Sequence, residues 1–250
     1  MAGRLKGKIA FVTGGASGLG AACAARFLAE GAVVTIADLA IEGTSAGGPG
    51  SLHRRHFDVT DEAAWEAALA ETVREFGRLD ILVNAAGISL DGDDLEHCTP
   101  EIWNRTIAVN LDGVFLGCKH GVRTMKAFGG GSIINFASIL AKVGDGGSIA
   151  YTASKGGVRL LTRSTAVYCN RNRLGIRCNA VCPGYFETPM LTNYFATQPA
   201  ATKQNLIAAQ PSGRLGQPKE LAGLLVYLAS DESHSCNGAD FVVDGGFTAA

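Results

Sequence analysis

Tyr151 and Lys155 stand four residues apart in a stretch whose pattern predicts a helix, so both side chains project from one face about a turn apart. A phenol with an ordinary pKa of about 10 is a poor base at neutral pH, but a nearby ammonium stabilises the phenolate, tenfold for each ~1.4 kcal/mol. Ser138 closes an apolar run predicted to be a strand, thirteen positions before Tyr151. Its hydroxyl can hydrogen-bond a substrate oxygen as charge develops there. Singly, a helical Tyr packs and a Lys is solvated. A hydroxyl, a phenol and an amine together at one sheet edge point to proton transfer at an alcohol or ketone oxygen.

The run Thr13, Gly14, Gly15, Ala16, Ser17, Gly18, Leu19, Gly20 lies between an apolar run and an amphipathic one. Glycines there permit a tight turn, close approach of backbone to a pyrophosphate, and a helix N-terminus that favours an anion. Such a turn alone serves many loops. Asp38 ends the next apolar run some twenty residues later, where a carboxylate can accept hydrogen bonds from adenosine ribose hydroxyls. Together they predict dinucleotide binding. The carboxylate would repel a 2′-phosphate, and Ala16, Ser17 and Leu39 bring no positive charge, so the expected cofactor is NAD rather than NADP.

Positioning these groups requires alternating strands and helices. The stretches 8–13, 32–37, 52–57, 79–83, 132–136, 176–182 and 240–243, largely apolar apart from the His and Arg of 52–57, read as strands. Helices are expected near 19–30, from an acidic start at Thr60, Asp61 and Glu62, as two elements within 100–126, and at 151–170 and 218–229. The stretch 44–51, rich in Gly, Ser and Pro, reads as a flexible surface connection. The segment 185–216 is less regular and is expected to lie outside the sheet as a substrate lid. The fold this implies is α/β: one domain spanning 1–250, a Rossmann-type doubly wound parallel sheet of about seven strands with helices on both faces. Its ligands would sit beyond the carboxyl ends of the strands.

The 250 residues, 47% hydrophobic and 18% charged, can bury one large core without disulfides or metal. A net charge of -1 with scattered lysines and arginines removes the electrostatic footprint of a nucleic-acid binder. The N-terminal apolar run is too short for a signal peptide or a membrane span, so no membrane partner and a cytoplasmic location are expected. Seven dispersed cysteines without CxxC pairs suit reduced, buried thiols, Cys178 and Cys182 among them, and the five histidines show no ligand spacing; no metal is expected.

Across essentially its whole length the sequence resembles the short-chain dehydrogenase/reductase family. The resemblance rests on the TGGASGLG turn, Asp58 with Val59, Asn84-Ala85-Ala86-Gly87, Asn110, Ser138, the Tyr-x-x-x-Lys pair, Pro183-Gly184 with Thr188, and Asp244-Gly245-Gly246. It implies a catalytic tetrad of Asn110, Ser138, Tyr151 and Lys155, with Asn110 helping to hold a water between Lys155 and solvent and Lys155 binding the nicotinamide ribose. It further implies that Asp58 and Val59 flank the adenine, that Asn84 lines the cofactor groove, and that Phe186 and Thr188 meet the nicotinamide amide. Ala85 departs from the family, which often has a second Asn there; backbone and Gly87 are expected to do that positioning.

Specificity is expected in 140–148 and 185–199, where Leu140, Val143, Ile149, Tyr185, Met190, Leu191, Tyr194 and Phe195 favour an apolar substrate. The likeness points to hydroxysteroids, terpenols or cycloalkanols, with hydride passing between NAD(H) and a secondary alcohol or ketone. The rivals are a 3-oxoacyl thioester reductase, which generally prefers NADPH, and a non-catalytic NAD-binding protein, which needs no intact Ser138, Tyr151 and Lys155. The resemblance also implies a homotetramer.

Overall fold

Every side chain of the first strand, β1 (Ile9–Thr13), is buried, and successive residues feed two separate cores. Phe11 joins Phe57, Trp65, Leu69 and Leu82 on one side, while Ala10 and Val12 join Cys23, Phe27, Val34 and Leu225 on the other. A strand apolar on both faces must be covered by helices on both, the condition for a parallel sheet. The computed structural model, which describes residues 3–45 and 52–250, has that architecture.

In chain order, β1 is followed by α1 (Gly18–Ala29), β2 (Val33–Asp38), β3 (Thr44–Ser45), β4 (Leu52–His56), α2 (Glu62–Phe76) and β5 (Ile81–Asn84). Then come α3 (Pro100–Ile107), α4 (Gly113–Met125), β6 (Gly131–Phe136), α5 (Ile149–Arg171), β7 (Ile176–Pro183), α6 (Pro189–Thr197), α7 (Ala200–Ala208), α8 (Pro218–Ala229) and β8 (Asp240–Val243). The strands lie in the order β3-β4-β2-β1-β5-β6-β7-β8. Seven run parallel, and the eighth, β3, is a two-residue antiparallel edge on β4. Between β1 and β5 the winding reverses, which opens a crevice at the carboxyl edge. α1 and α8 cover one face through Phe27, Leu221 and Leu225. α2, α4 and α5 cover the other through Trp65, Val114, Cys118, Val158 and Cys169.

On that second face Trp65 meets Phe57 edge-on with centroids 4.9 Å apart and donates its indole N–H to the Val59 carbonyl at 2.9 Å. Burying a ring of this size contributes roughly 1.5–3 kcal/mol, and the satisfied N–H avoids a desolvation cost. All seven cysteines are free, with Cys178 and Cys182 buried in β7.

Three local expectations need amending. Thr44–Ser45 is paired with Arg54 and Arg55 rather than loose, and the rest of the proposed flexible connection, 46–51, lies outside the described residues. The two helices within 100–126 are joined without a break by a π-helical turn, Ala108–Asp112. The segment 185–216 is not irregular: it holds α6, capped by Thr188 and opened by Pro189, and α7. Neither helix buries a residue: α7 has no apolar stripe, and on α6 the residues at helical spacing, Met190 with Tyr194 and Leu191 with Phe195, stay exposed or half-buried.

Candidate active site

β6 ends at Phe136 and delivers Ser138 to the carboxyl edge, where its backbone is extended and its hydroxyl accepts the Leu140 N–H at 3.1 Å. Across from it, α5 begins at Ile149 and presents Tyr151 in its first turn and Lys155 one turn on. Ser138 and Tyr151 share a hydrogen bond between their hydroxyls. That bond draws the Tyr151 phenol down, while burial, the larger effect, pushes it up. Lys155 is buried; its Nζ donates to the Phe136 carbonyl at 2.9 Å and lies over the Tyr151 ring, 5.5 Å from the centroid. Burial pulls its amine from 10.5 to about 8.

The neighbour that draws Tyr151 down is the Ser138 hydroxyl.

Asn110 occupies the π-helical turn and is fully buried. Its side-chain oxygen accepts the Ile88 N–H at 2.8 Å and its amide donates to the Ile88 carbonyl at 2.9 Å. A π turn at this place re-aims one side chain out of an otherwise regular helix. The work seen for the Asn110 side chain is therefore to fasten the segment leaving β5. A Cβ added to Gly87 would lie 3.3 Å from Asn110 Oδ1 and 3.4 Å from Lys155 Nζ, so Gly87 passes where the two converge.

On the other side of the crevice, Gly14 takes a left-handed φ of 65°, and a Cβ there would lie 2.7 Å from the Ala86 backbone. A Cβ on Gly20 would lie 2.1 Å from the Gly14 carbonyl oxygen. The turn and the Asn84–Gly87 segment are thus packed backbone to backbone. Thr13 joins them, its hydroxyl accepting the amides of Ala85 and Ala86 at 3.2 and 3.3 Å. At the α1 N-terminus Ser17 makes no side-chain cap and the first turn holds no acidic residue, which leaves Gly18 and Leu19 amides for an anion. Asp38 accepts the amides of Ala16 at 3.1 Å and Ala40 at 3.0 Å, beside an exposed Leu39, and has no Lys or Arg partner among the described residues. These residues fit a dinucleotide: uncapped amides for the pyrophosphate and a carboxylate at the end of β2 for a ribose.

Other expected contacts are placed less directly. Asp58 binds the amide and hydroxyl of Thr60 at 2.8 and 2.7 Å, and Val59 is buried against Gly113. Asn84 turns its side chain inward, donating to Asn135 at 2.8 Å and facing Gly117, so only its backbone borders the groove side. Phe186 is likewise buried, its ring against Gly216. Pro183 ends β7, and Gly184 runs close beside Asp244, where a Cβ would lie 2.8 Å from that residue. Thr188 comes over the glycine turn, its methyl 3.5 Å from the place of a Gly18 Cβ.

Of the expected substrate residues, Tyr185 lies near Tyr151, Tyr194 and Asp145, and burial pushes its phenol up to about 12. It packs edge-on against Phe247 at 5.6 Å. Leu140 is half-buried beside Ser138, while Met190 and Tyr194 are exposed on α6. Phe247, three residues from the C-terminus, carries no local signal of this contact; only a lone aromatic in a small-residue tail hints at it.

A family model described as enoyl-(acyl carrier protein) reductase matches residues 14–248. The chain belongs to the short-chain dehydrogenase/reductase family. A cis-4-hydroxycyclohexanecarboxylate dehydrogenase of Sinomonas cyclohexanicum is 44% identical, over 97% of either protein. An NADP-dependent (R)-specific alcohol dehydrogenase of Lentilactobacillus kefiri is 42% identical over the full length of both. The crystal structure of levodione reductase superposes with a TM-score of 0.89 at 33% identity, over 98% of this chain and 99% of that one. As a short-chain dehydrogenase/reductase the protein is an oxidoreductase acting on CH–OH groups with a nicotinamide cofactor. Among the described residues no helix is long and apolar enough to cross a membrane.

Proposed function

We propose that the protein is an NAD-preferring dehydrogenase of apolar, cyclic secondary alcohols, working from a single domain whose segment 185–216 closes over the substrate. The reading is carried by the Ser138–Tyr151 hydroxyl pair with Lys155 over the ring, at the edge that also holds the glycine turn.

In oxidation Tyr151 takes the alcohol proton while Ser138 holds the same oxygen. Lys155, oriented by the Phe136 carbonyl, supplies positive charge beside the ring and a donor toward a ribose. Asn110 keeps the segment after β5 in register with both. When bound, the nicotinamide supplies the hydride acceptor and a positive ring that favours the phenolate. The uncapped α1 amides bind the pyrophosphate, and Asp38 binds the adenosine ribose and repels a 2′-phosphate.

The L. kefiri relative is named as NADP-dependent, so the preference for NAD rests on Asp38 and the uncharged Leu39 at the end of β2 and not on the family. Half-buried Tyr185 and Leu140, with Met190 and Tyr194 exposed on α6, offer apolar surface to a ring alcohol, and the name of the S. cyclohexanicum relative agrees. The description of the matching family model names a thioester substrate, which keeps open a second reading, reduction of a 3-oxoacyl thioester at its keto group. Assays with NAD⁺ and NADP⁺ on cyclohexanol, 2-octanol and a hydroxysteroid, set against acetoacetyl thioester with NADH and NADPH, separate the two. Faster turnover of the thioester with NADPH would replace the first reading by the second.

A further inference from the structure

Helix α5 carries Tyr151 in its first turn, yet it has no cap of its own. Ser148 makes no side-chain bond there and the first turn contains no acidic residue. Four residues of amides at a helix start lack partners within the helix, and a catalytic side chain in that turn inherits whatever motion they allow. In this protein three of them are taken by one residue far off in sequence. Asp93, buried in the loop between β5 and α3, accepts the Ala150 N–H at 2.7 Å on one carboxylate oxygen and the Tyr151 N–H at 2.9 Å on the other. Its carbonyl accepts the Ile149 N–H at 2.7 Å. The Cys98 thiol donates to the same carboxylate at 3.4 Å.

The Tyr151 carbonyl is pinned as well. It accepts the Ser154 hydroxyl at 2.6 Å, and that oxygen in turn accepts from Asn110 at 3.3 Å. The peptide groups on both sides of the Tyr151 Cα are therefore fixed, one by Asp93 and one through Ser154 by Asn110. Asn110 also holds Ile88, at the start of the loop that carries Asp93. A buried carboxylate is costly unless its oxygens are filled, and two amides at the positive end of a helix fill them.

We propose that Asp93 is a positioning residue for the reaction, a remote cap that holds the Tyr151 hydroxyl in line with Ser138. The proposal rests on the reading of Tyr151 as the acid/base. Misplacing a reacting group by about 1 Å lowers turnover ~100-fold, whereas losing an ordinary helix cap shifts stability alone.

The test compares Asp93→Ala and Asp93→Asn with Asp61→Ala, which removes the cap of α2, whose N-terminus carries none of the proposed acid/base residues. Each variant is assayed well below its melting temperature with NAD⁺ and cyclohexanol, and NADH affinity is measured by fluorescence. Asp93→Ala is expected to lower kcat ~10- to 100-fold with NADH affinity within twofold of wild type. Asp93→Asn, which keeps one acceptor, should fall between, and Asp61→Ala should keep kcat. If Asp93→Ala does not fold, Asp93→Asn alone decides. Turnover near wild type in the Asp93 variants, or loss of kcat and NADH affinity together, overturns the proposal. Tyr151→Phe assayed alongside isolates the reading beneath it: if that variant turns over normally, the acid/base assignment falls and the role of Asp93 with it.

Discussion

The Nζ of Lys155 lies over the ring of Tyr151, 5.5 Å from its centroid, one helical turn along α5. Neither group is in its ordinary state. Burial draws the amine down to about 8 and pushes the phenol up, so in this pocket both are biased toward their neutral forms. The hydrogen bond from Ser138 works against that bias at the phenol, and in the proposed reaction a bound cofactor's positive ring would add to it.

The Lys155 shift has a consequence for stability. Between about pH 8 and pH 10 the unfolded chain retains a proton that the folded chain has released, so stability contributed by this group rises with pH across that window. Below pH 8 the cost of the buried ammonium is fully present. Tyr151, pushed up, titrates above the window. Lys155→Met should therefore melt higher than wild type at pH 7, with a gap that narrows by pH 10. A gap independent of pH in thermal melts would contradict the assignment.

Cofactor choice should turn on Asp38. With Asp38→Ala and Leu39→Arg together, a repelling carboxylate is replaced by a guanidinium suited to a phosphate. The ratio of kcat/KM for NAD⁺ over NADP⁺ should fall by ~100-fold or more, reversing the preference. An unchanged ratio would mean that the ribose lies elsewhere.

Thr13 joins the glycine turn to the segment after β5 through the amides of Ala85 and Ala86. Thr13→Val keeps the shape and removes the oxygen that accepts both amides, which should cost about 1–3 kcal/mol of stability and raise the KM for cofactor. Chemical denaturation and initial rates check the two effects. Loss of stability with an unaltered cofactor KM would make Thr13 structural alone.

Tyr185 stands between Phe247 and the Tyr151 site. Tyr185→Ala should raise KM for a ring alcohol such as cyclohexanol more than for 2-propanol, because only the larger substrate reaches that wall. Equal changes for both would remove Tyr185 from substrate selection.

Much of this was legible in sequence because it is local. The helix Pro218–Ala229 and the strand Asp240–Val243 have the expected bounds, since an apolar stripe or run closed by Pro, Gly or Asp needs no distant partner to be recognised. The four-residue spacing of Tyr151 and Lys155 survives directly as one helix face. Long-range facts were not readable. Asp93 reaches the amide of Tyr151 across 58 residues, and nothing around it marks it as a cap. Asn84 turns inward because Gly117, on α4, leaves room for it. The helices of 189–208 bury no residue, so although Met190 with Tyr194 and Leu191 with Phe195 keep helical spacing on α6, no packed face marks them, and α7 has no apolar stripe at all.

The most direct test of the account is single-turnover oxidation of cyclohexanol by Tyr151→Phe preloaded with NAD⁺. The variant should bind NAD⁺ with wild-type affinity and reduce it at least ~1,000-fold more slowly, since it lacks the hydroxyl proposed to take the proton. Reduction within tenfold of the wild-type rate would show that another group does the proton transfer.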